Sequence, residues 1–188
     1  MKEKPKIEDA HKVLSLAVGI LSKWNYHLDG GTLLGFWRDG DFCKDDHDDI
    51  DVTVYGPSLD EVIKAFRDKG FDVYHEWPGD KENKWTPQAS FLMLGVKVDV
   101  MLKSRGRKWA NWTVYGNPKT GPVFKRTPLS LTGKCDNWIF IVGNEMKAMS
   151  VPSQTEKYLA YRYGDWRTPI HRSQYSCYSR ESDRSIVK

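Results

Sequence analysis

Cysteine is scarce in this chain, and what there is stands far apart. Cys43, Cys135 and Cys177 are the only three. An odd, scattered set makes no disulfide framework, and without a C-x-x-C pair the usual half of a zinc site is missing. Cys43 and His47 have half-site spacing, but no second half accompanies them. Free thiols in a reducing compartment are the expectation. Long apolar runs are lacking too, since nothing approaches the roughly 20 apolar residues of a membrane-spanning helix. The opening Met1-Lys2-Glu3-Lys4-Pro5-Lys6 is charged and leads into an amphipathic pattern, unlike a secretory signal. A cytoplasmic protein without a membrane span is therefore expected. Charge of one sign is also lacking: 29 basic and 25 acidic residues leave a net +4. That balance suits anionic substrates and argues against nucleic acid as a partner. No internal repeat or low-complexity linker breaks the 188 residues, so 1–170 is read as one compact domain and 171–188 as a polar, basic tail.

What is present is a pattern of short elements rich in aromatics, with eight tryptophans. Ile7, Ala10, Val13, Leu14, Ala17, Val18 and Leu21 form a helical stripe over 7–24. A short strand over 26–28 runs into a double glycine, followed by a short helix over 32–37. The alternation over 50–55 predicts a strand. Ser58 and Glu61 make a capping box for a helix that Gly70 ends. Strands are expected over 71–75, 89–94 and 96–102, the last two as a hairpin around Gly95. Another strand is expected over 138–142. A second capping box, Ser153 with Glu156, opens a helix that ends at Gly164. Residues 103–136 are the least legible. Together these elements indicate an α/β (α+β) domain with a mixed sheet flanked by helices.

Three groups of residues carry the chemistry. Gly30-Gly31-Thr32 can bring backbone N–H groups against phosphate oxygens. Asp49 and Asp51 alternate with Ile50 and Val52, so period-2 geometry puts both carboxylates on one face. Asp99, between Val98 and Val100, has the same local pattern on another strand. If those strands are neighbours, three carboxylates converge, and they repel unless divalent cations lie between them. Mg²⁺ or Mn²⁺ suits such a set of oxygens. Arg38 stands one short helix beyond the glycines, where it reaches either a phosphate or its neighbours Asp39 and Asp41. His47 is either a general base for an acceptor hydroxyl or a partner within the acidic run Asp45, Asp46 and Asp48. Asp29 either orients the glycine turn or caps the helix behind it. The run Lys103, Arg105, Arg107, Lys108 can steer a polyphosphate, and Trp109 and Trp112 either stack on a ligand or pack the core.

These residues resemble a known family. A double glycine followed by an acid–x–acid pair and a later strand acid is similar to the nucleotidyltransferase fold that DNA polymerase β shares. More closely, Gly30-Gly31-Thr32-Leu33-Leu34-Gly35, Arg38, Asp49-Ile50-Asp51 and the later Tyr163-Gly164-Asp165-Trp166 with Pro169 resemble the LicD branch, which includes fukutin and fukutin-related protein. The resemblance implies transfer of a phosphorylated alcohol, such as phosphocholine or ribitol phosphate, from a CDP-activated donor to a glycan hydroxyl. It also implies that Asp49, Asp51 and Asp99 hold metal, that Gly30, Gly31 and Thr32 meet the diphosphate, and that Arg38 contacts a phosphate. One segment departs: the family usually has an apolar-Pro-Trp lead into its acids, and Cys43-Lys44-Asp45-Asp46-His47 stands here instead. Two other readings use the same residues. One is transfer of a nucleoside monophosphate from a triphosphate with release of pyrophosphate. The other is a catalytically silent module that binds nucleotide or glycan.

Overall fold

A computed structural model describes residues 4–82, 84–114 and 123–169; the tail expected over 171–188, with Cys177, lies outside them. Five strands form the main sheet: β1 (Asn25–Leu28), β2 (Asp49–Tyr55), β3 (Asp72–Trp77), β4 (Gln88–Met93) and β5 (Val96–Leu102), in the order β1-β2-β5-β4-β3. Only β2 and β5 run parallel; the other neighbours are antiparallel, so the sheet is mixed, as the sequence indicates. Ile50, Val52, Val54, Val98 and Val100 are completely buried. The acids that alternate with them are thereby fixed on the opposite face.

Helices α1 (Ile7–Leu21) and α3 (Leu59–Arg67) touch each other and lie over β5 and β4. Ala10, Val13, Leu14, Ala17 and Leu21 are fully buried, as a stripe of three- and four-residue steps requires. The Ser58–Glu61 capping box forms at the start of α3 with both of its hydrogen bonds. From the inner face of α3, Phe66 stacks on Phe91 with ring centroids 4.2 Å apart; full burial of such a ring contributes about 2–3 kcal/mol. The β4–β5 turn is Leu94-Gly95, with φ of 52° and 80°, the left-handed pair that a two-residue hairpin needs.

Two expectations need correction. The double glycine is not a turn ahead of a helix at residue 32, because α2 (Gly30–Arg38) begins on the glycines themselves with Asp29 as its N-cap. The Ser153–Glu156 capping box does not form. Helix α5 (Thr155–Tyr163) starts one residue too late for it, with Gln154 in the cap position, while the Ser153 N–H is committed to the Lys134 carbonyl. The helix does end at Gly164, whose φ is 70°. Residues 103–136, illegible in the sequence, hold a three-stranded sheet of β6 (Ser104–Arg105), β7 (Trp109–Val114) and β8 (Val123–Pro128), followed by α4 (Leu129–Thr132). A ribbon of β9 (Cys135–Val142) and β10 (Glu145–Pro152) then leads into α5. No helix among the described residues is long and apolar enough to cross a membrane.

Candidate active site

Register brings the three acids together. Across the parallel β2–β5 pair, Asp51 lies beside Asp99 and Asp49 beside Lys97. One carboxylate oxygen from each of Asp49, Asp51 and Asp99 lies within 4.8 Å of the others. Burial first, and then Asp49 and Asp99, push the Asp51 carboxyl well above the usual range. Burial, followed by Asp99, lifts Asp49 to about 6. Some of this crowding is relieved by Lys97, whose Nζ lies 3.1 Å from Asp49 Oδ2 and 2.9 Å from Asp99 Oδ2. Burial alone would lower the affinity of Lys97 for its proton, but Asp99 and Asp49 outweigh it and raise it. The Ser90 hydroxyl donates to Asp99 Oδ1. Asp49 Oδ1, however, is buried with no hydrogen-bond partner. A buried carboxylate oxygen left in that condition is costly. An all-oxygen donor set containing such an atom fits a hard divalent cation.

The glycines serve this cluster directly. Gly30 has φ of 53°, and a Cβ there would lie 1.9 Å from Asp51 Oδ2. Conformation and space therefore both require glycine. The Gly31 N–H donates to Asp51 Oδ2 at 3.1 Å, and the Thr32 hydroxyl accepts from the Asp51 N–H at 2.9 Å. The positive end of α2 thus faces Asp51. The sequence directs these N–H groups toward phosphate; in the structure that of Gly31 holds a carboxylate.

Behind the glycines lies a buried network that no local sequence pattern announces. Asp29 is fully buried. Its Oδ1 accepts from the Gly30 N–H at 2.8 Å, the Tyr158 hydroxyl at 2.5 Å and Arg162 at 2.8 Å. Its Oδ2 accepts from the Thr53 hydroxyl at 2.6 Å and Lys103 at 2.7 Å. Burial pushes the carboxyl up, but Lys103 and Arg162 overcome it and hold Asp29 well below the usual range. Burial also pulls Lys103 down against the attraction of Asp29, and the two groups form a buried salt bridge at 2.7 Å. Lys103 and Arg162 lie 4.6 and 5.1 Å from the Trp112 ring centroid, and Lys125 lies at 5.3 Å. Trp112 is therefore a core ring among cations. The side chain of Lys103, read in the sequence as part of a basic run able to steer a polyphosphate, is completely buried.

His27 adjoins this network, with its ring 6.1 Å from that of Tyr158. Nδ1 lies 2.7 Å from the Leu28 carbonyl, which can only accept, so Nδ1 carries the proton and Nε2 is a buried acceptor without a partner. Burial lowers the His27 pKa from 6.5 to about 4. Between those values the unfolded chain binds the proton more readily. Stability is therefore full above pH 6.5 and declines as pH falls toward 4, by roughly 3 kcal/mol for this one group. Urea unfolding of wild type and His27→Asn at pH 4.5, 5.5 and 7 is expected to give a flatter pH dependence in the variant; parallel curves would remove His27 as the cause.

Arg38 and His47 make their hydrogen bonds away from the three acids. Arg38 closes a fork on Asp39 (2.8 and 2.6 Å) and reaches the Trp166 carbonyl at 3.4 Å, which ties α2 to the Tyr163-Gly164-Asp165-Trp166 block. The Nε2 of His47 lies 2.9 Å from the Pro5 carbonyl.

A mixed sheet whose parallel pair presents three acids beside a helix that begins on two glycines defines a nucleotidyltransferase-fold domain. A family model described as "LicD/FKTN/FKRP, nucleotidyltransferase domain" matches residues 23–118, just over half of the chain. The chain belongs to the LicD/fukutin/fukutin-related protein family. Both glycines and all three acids fall in the matched segment, while Arg162 and the Tyr163–Trp166 block lie beyond it. A search of curated proteins finds no match. Family membership points in general to a transferase of phosphoalcohol groups onto glycans, and such proteins are generally metal-dependent.

Proposed function

We propose that this chain moves a phosphorylated alcohol from a CDP-activated donor to a glycan hydroxyl, with Asp49, Asp51 and Asp99 holding Mg²⁺ or Mn²⁺. The observation that carries this reading is the β2–β5 register, which sets Asp51 beside Asp99 and leaves Asp49 Oδ1 buried without a partner. A divalent ion in that cluster supplies charge neutralisation for a transferring phosphoryl group. The chain's own residues do the rest. Gly31 N–H and Thr32 Oγ1 fix Asp51 from both side chain and backbone, and the start of α2 places positive potential where the donor diphosphate is to lie. His47 serves as the base for the acceptor hydroxyl. Its Nε2–H is committed to Pro5, which leaves Nδ1 as the accepting nitrogen of the neutral ring. Arg38 contacts a donor phosphate by turning its fork away from Asp39.

Calorimetric titration with CDP, CDP-choline, CDP-ribitol, CTP and ATP, with and without Mn²⁺, tests this reading without knowledge of the acceptor. Metal-dependent preference for the cytidine diphosphate compounds is expected. Preference for a triphosphate would move the chain to nucleotidyl transfer, and no metal-dependent binding would leave a silent module. In the same assay Arg38→Ala is expected to weaken CDP-compound binding about tenfold or more, the worth of a charge-assisted contact. Unchanged affinity with a lower melting temperature would make Arg38 only the brace between α2 and Trp166.

A further inference from the structure

Two places for positive charge adjoin Asp49, and the chain fills one of them itself. Asp49 Oδ2 and Asp99 Oδ2 share the Lys97 ammonium at 3.1 and 2.9 Å. Asp99 Oδ1 is taken by the Ser90 hydroxyl, so both Asp99 oxygens are engaged. Asp51 Oδ2 accepts the Gly31 N–H. Asp49 Oδ1 alone in this triad is a buried oxygen without a hydrogen-bond partner. Register puts Lys97 there: it is the lateral neighbour of Asp49 across the β2–β5 pair and lies two residues before Asp99 on the same face of β5. Its side chain is only 30% exposed, so it is packed into the site.

Charge balance points the same way. Three carboxylates and one ammonium leave a net charge that a single divalent ion neutralises. A second divalent ion, which two-metal sites hold about 3.5–4 Å from the first, would have to enter against the ammonium in a partly desolvated space. We propose that Lys97 is a built-in cation filling the Asp49–Asp99 position, so that the acidic triad takes one divalent ion rather than two. This inference rests on the metal-dependent reading above.

The test counts metal. The full chain, as wild type, Lys97→Met and Lys97→Arg, is titrated with Mn²⁺ by calorimetry and by electron paramagnetic resonance, with and without saturating CDP. Circular dichroism and a thermal melt establish that each variant is folded. Wild type and Lys97→Arg are expected to bind one Mn²⁺ per chain whether or not CDP is present. Lys97→Met, which keeps the side chain's length without its charge, is expected to bind two, with the broadened signal of coupled spins. Two ions in wild type would overturn the inference, since the lysine would then yield to metal. One ion in folded Lys97→Met would overturn it as well, since something other than Lys97 would exclude the second. Failure of wild type to bind Mn²⁺ at all would overturn the metal-dependent reading itself, and this inference with it.

Discussion

Asp51→Asn is expected to abolish transfer and to leave the chain folded. The amide keeps the shape of the carboxylate, and its oxygen can still accept the Gly31 N–H, which now lies 3.1 Å from Asp51 Oδ2. What it lacks is the charge. Loss of an outer-shell partner of a metal ligand typically costs about 10–100-fold, and loss of a ligand's charge is expected to cost more than that. Stability moves differently. Burial and the neighbouring Asp49 and Asp99 all disfavour a charged Asp51, so removing its charge in the metal-free chain relieves repulsion, and the melting temperature holds or rises. The two effects separate in a thermal melt with and without Mn²⁺. Wild type gains stability from the ion by linkage, and Asp51→Asn gains little. Turnover near the wild-type level in the variant would end the metal-site reading.

The parts of this site that were legible in the sequence are those governed by period and framing. Asp49, Asp51 and Asp99 each stand among β-branched or apolar residues that must be buried, so their outward direction follows from the strand period, and register then joins them. The Ser58–Glu61 cap and the Leu94-Gly95 turn were legible because their chemistry is local. Residues 103–136 were not, because their buried positions are held by residues that periodicity counts as polar. Lys103, Thr113, Lys125 and Thr127 are all buried there. An alternation argument has no way to place a buried lysine whose carboxylate partner, Asp29, is 74 residues away in the chain. Lys97 escaped for a related reason. On its own strand it reads as a solvated residue between two valines, and only the pairing with β2 sets it against Asp49. Arg162 lies on a helix whose own pattern carries no sign of Asp29.

The largest loss of stability is expected from Asp29→Asn. Asparagine is as good an N-cap as aspartate, so the start of α2 keeps its cap, and the effect isolates the charge. Lys103, completely buried, and Arg162, largely so, are left facing a neutral amide. Removing one partner from a buried ion pair costs about 3–5 kcal/mol, a large share of the roughly 5–15 kcal/mol that holds a domain folded. The sign with pH is definite. Because Asp29 is held below its ordinary value of 3.8, its contribution is complete above that pH and is lost only as pH falls through the depressed value. At neutral pH the whole effect is therefore present. Urea unfolding of wild type, Asp29→Asn, Lys103→Met and the double variant measures it as a cycle. The double variant is expected to be more stable than the sum of the single losses, since removing both charges leaves no buried lysine without its carboxylate. A loss below about 1 kcal/mol in Asp29→Asn, the size of an ordinary hydrogen bond, would mean that the network does not anchor the fold. The consequence for catalysis is geometric: Asp29 receives the Gly30 N–H on one oxygen and Lys103 on the other. Loosening it moves the helix start that positions Asp51, so Asp29→Asn is expected to weaken Mn²⁺ binding even at temperatures where the variant remains folded.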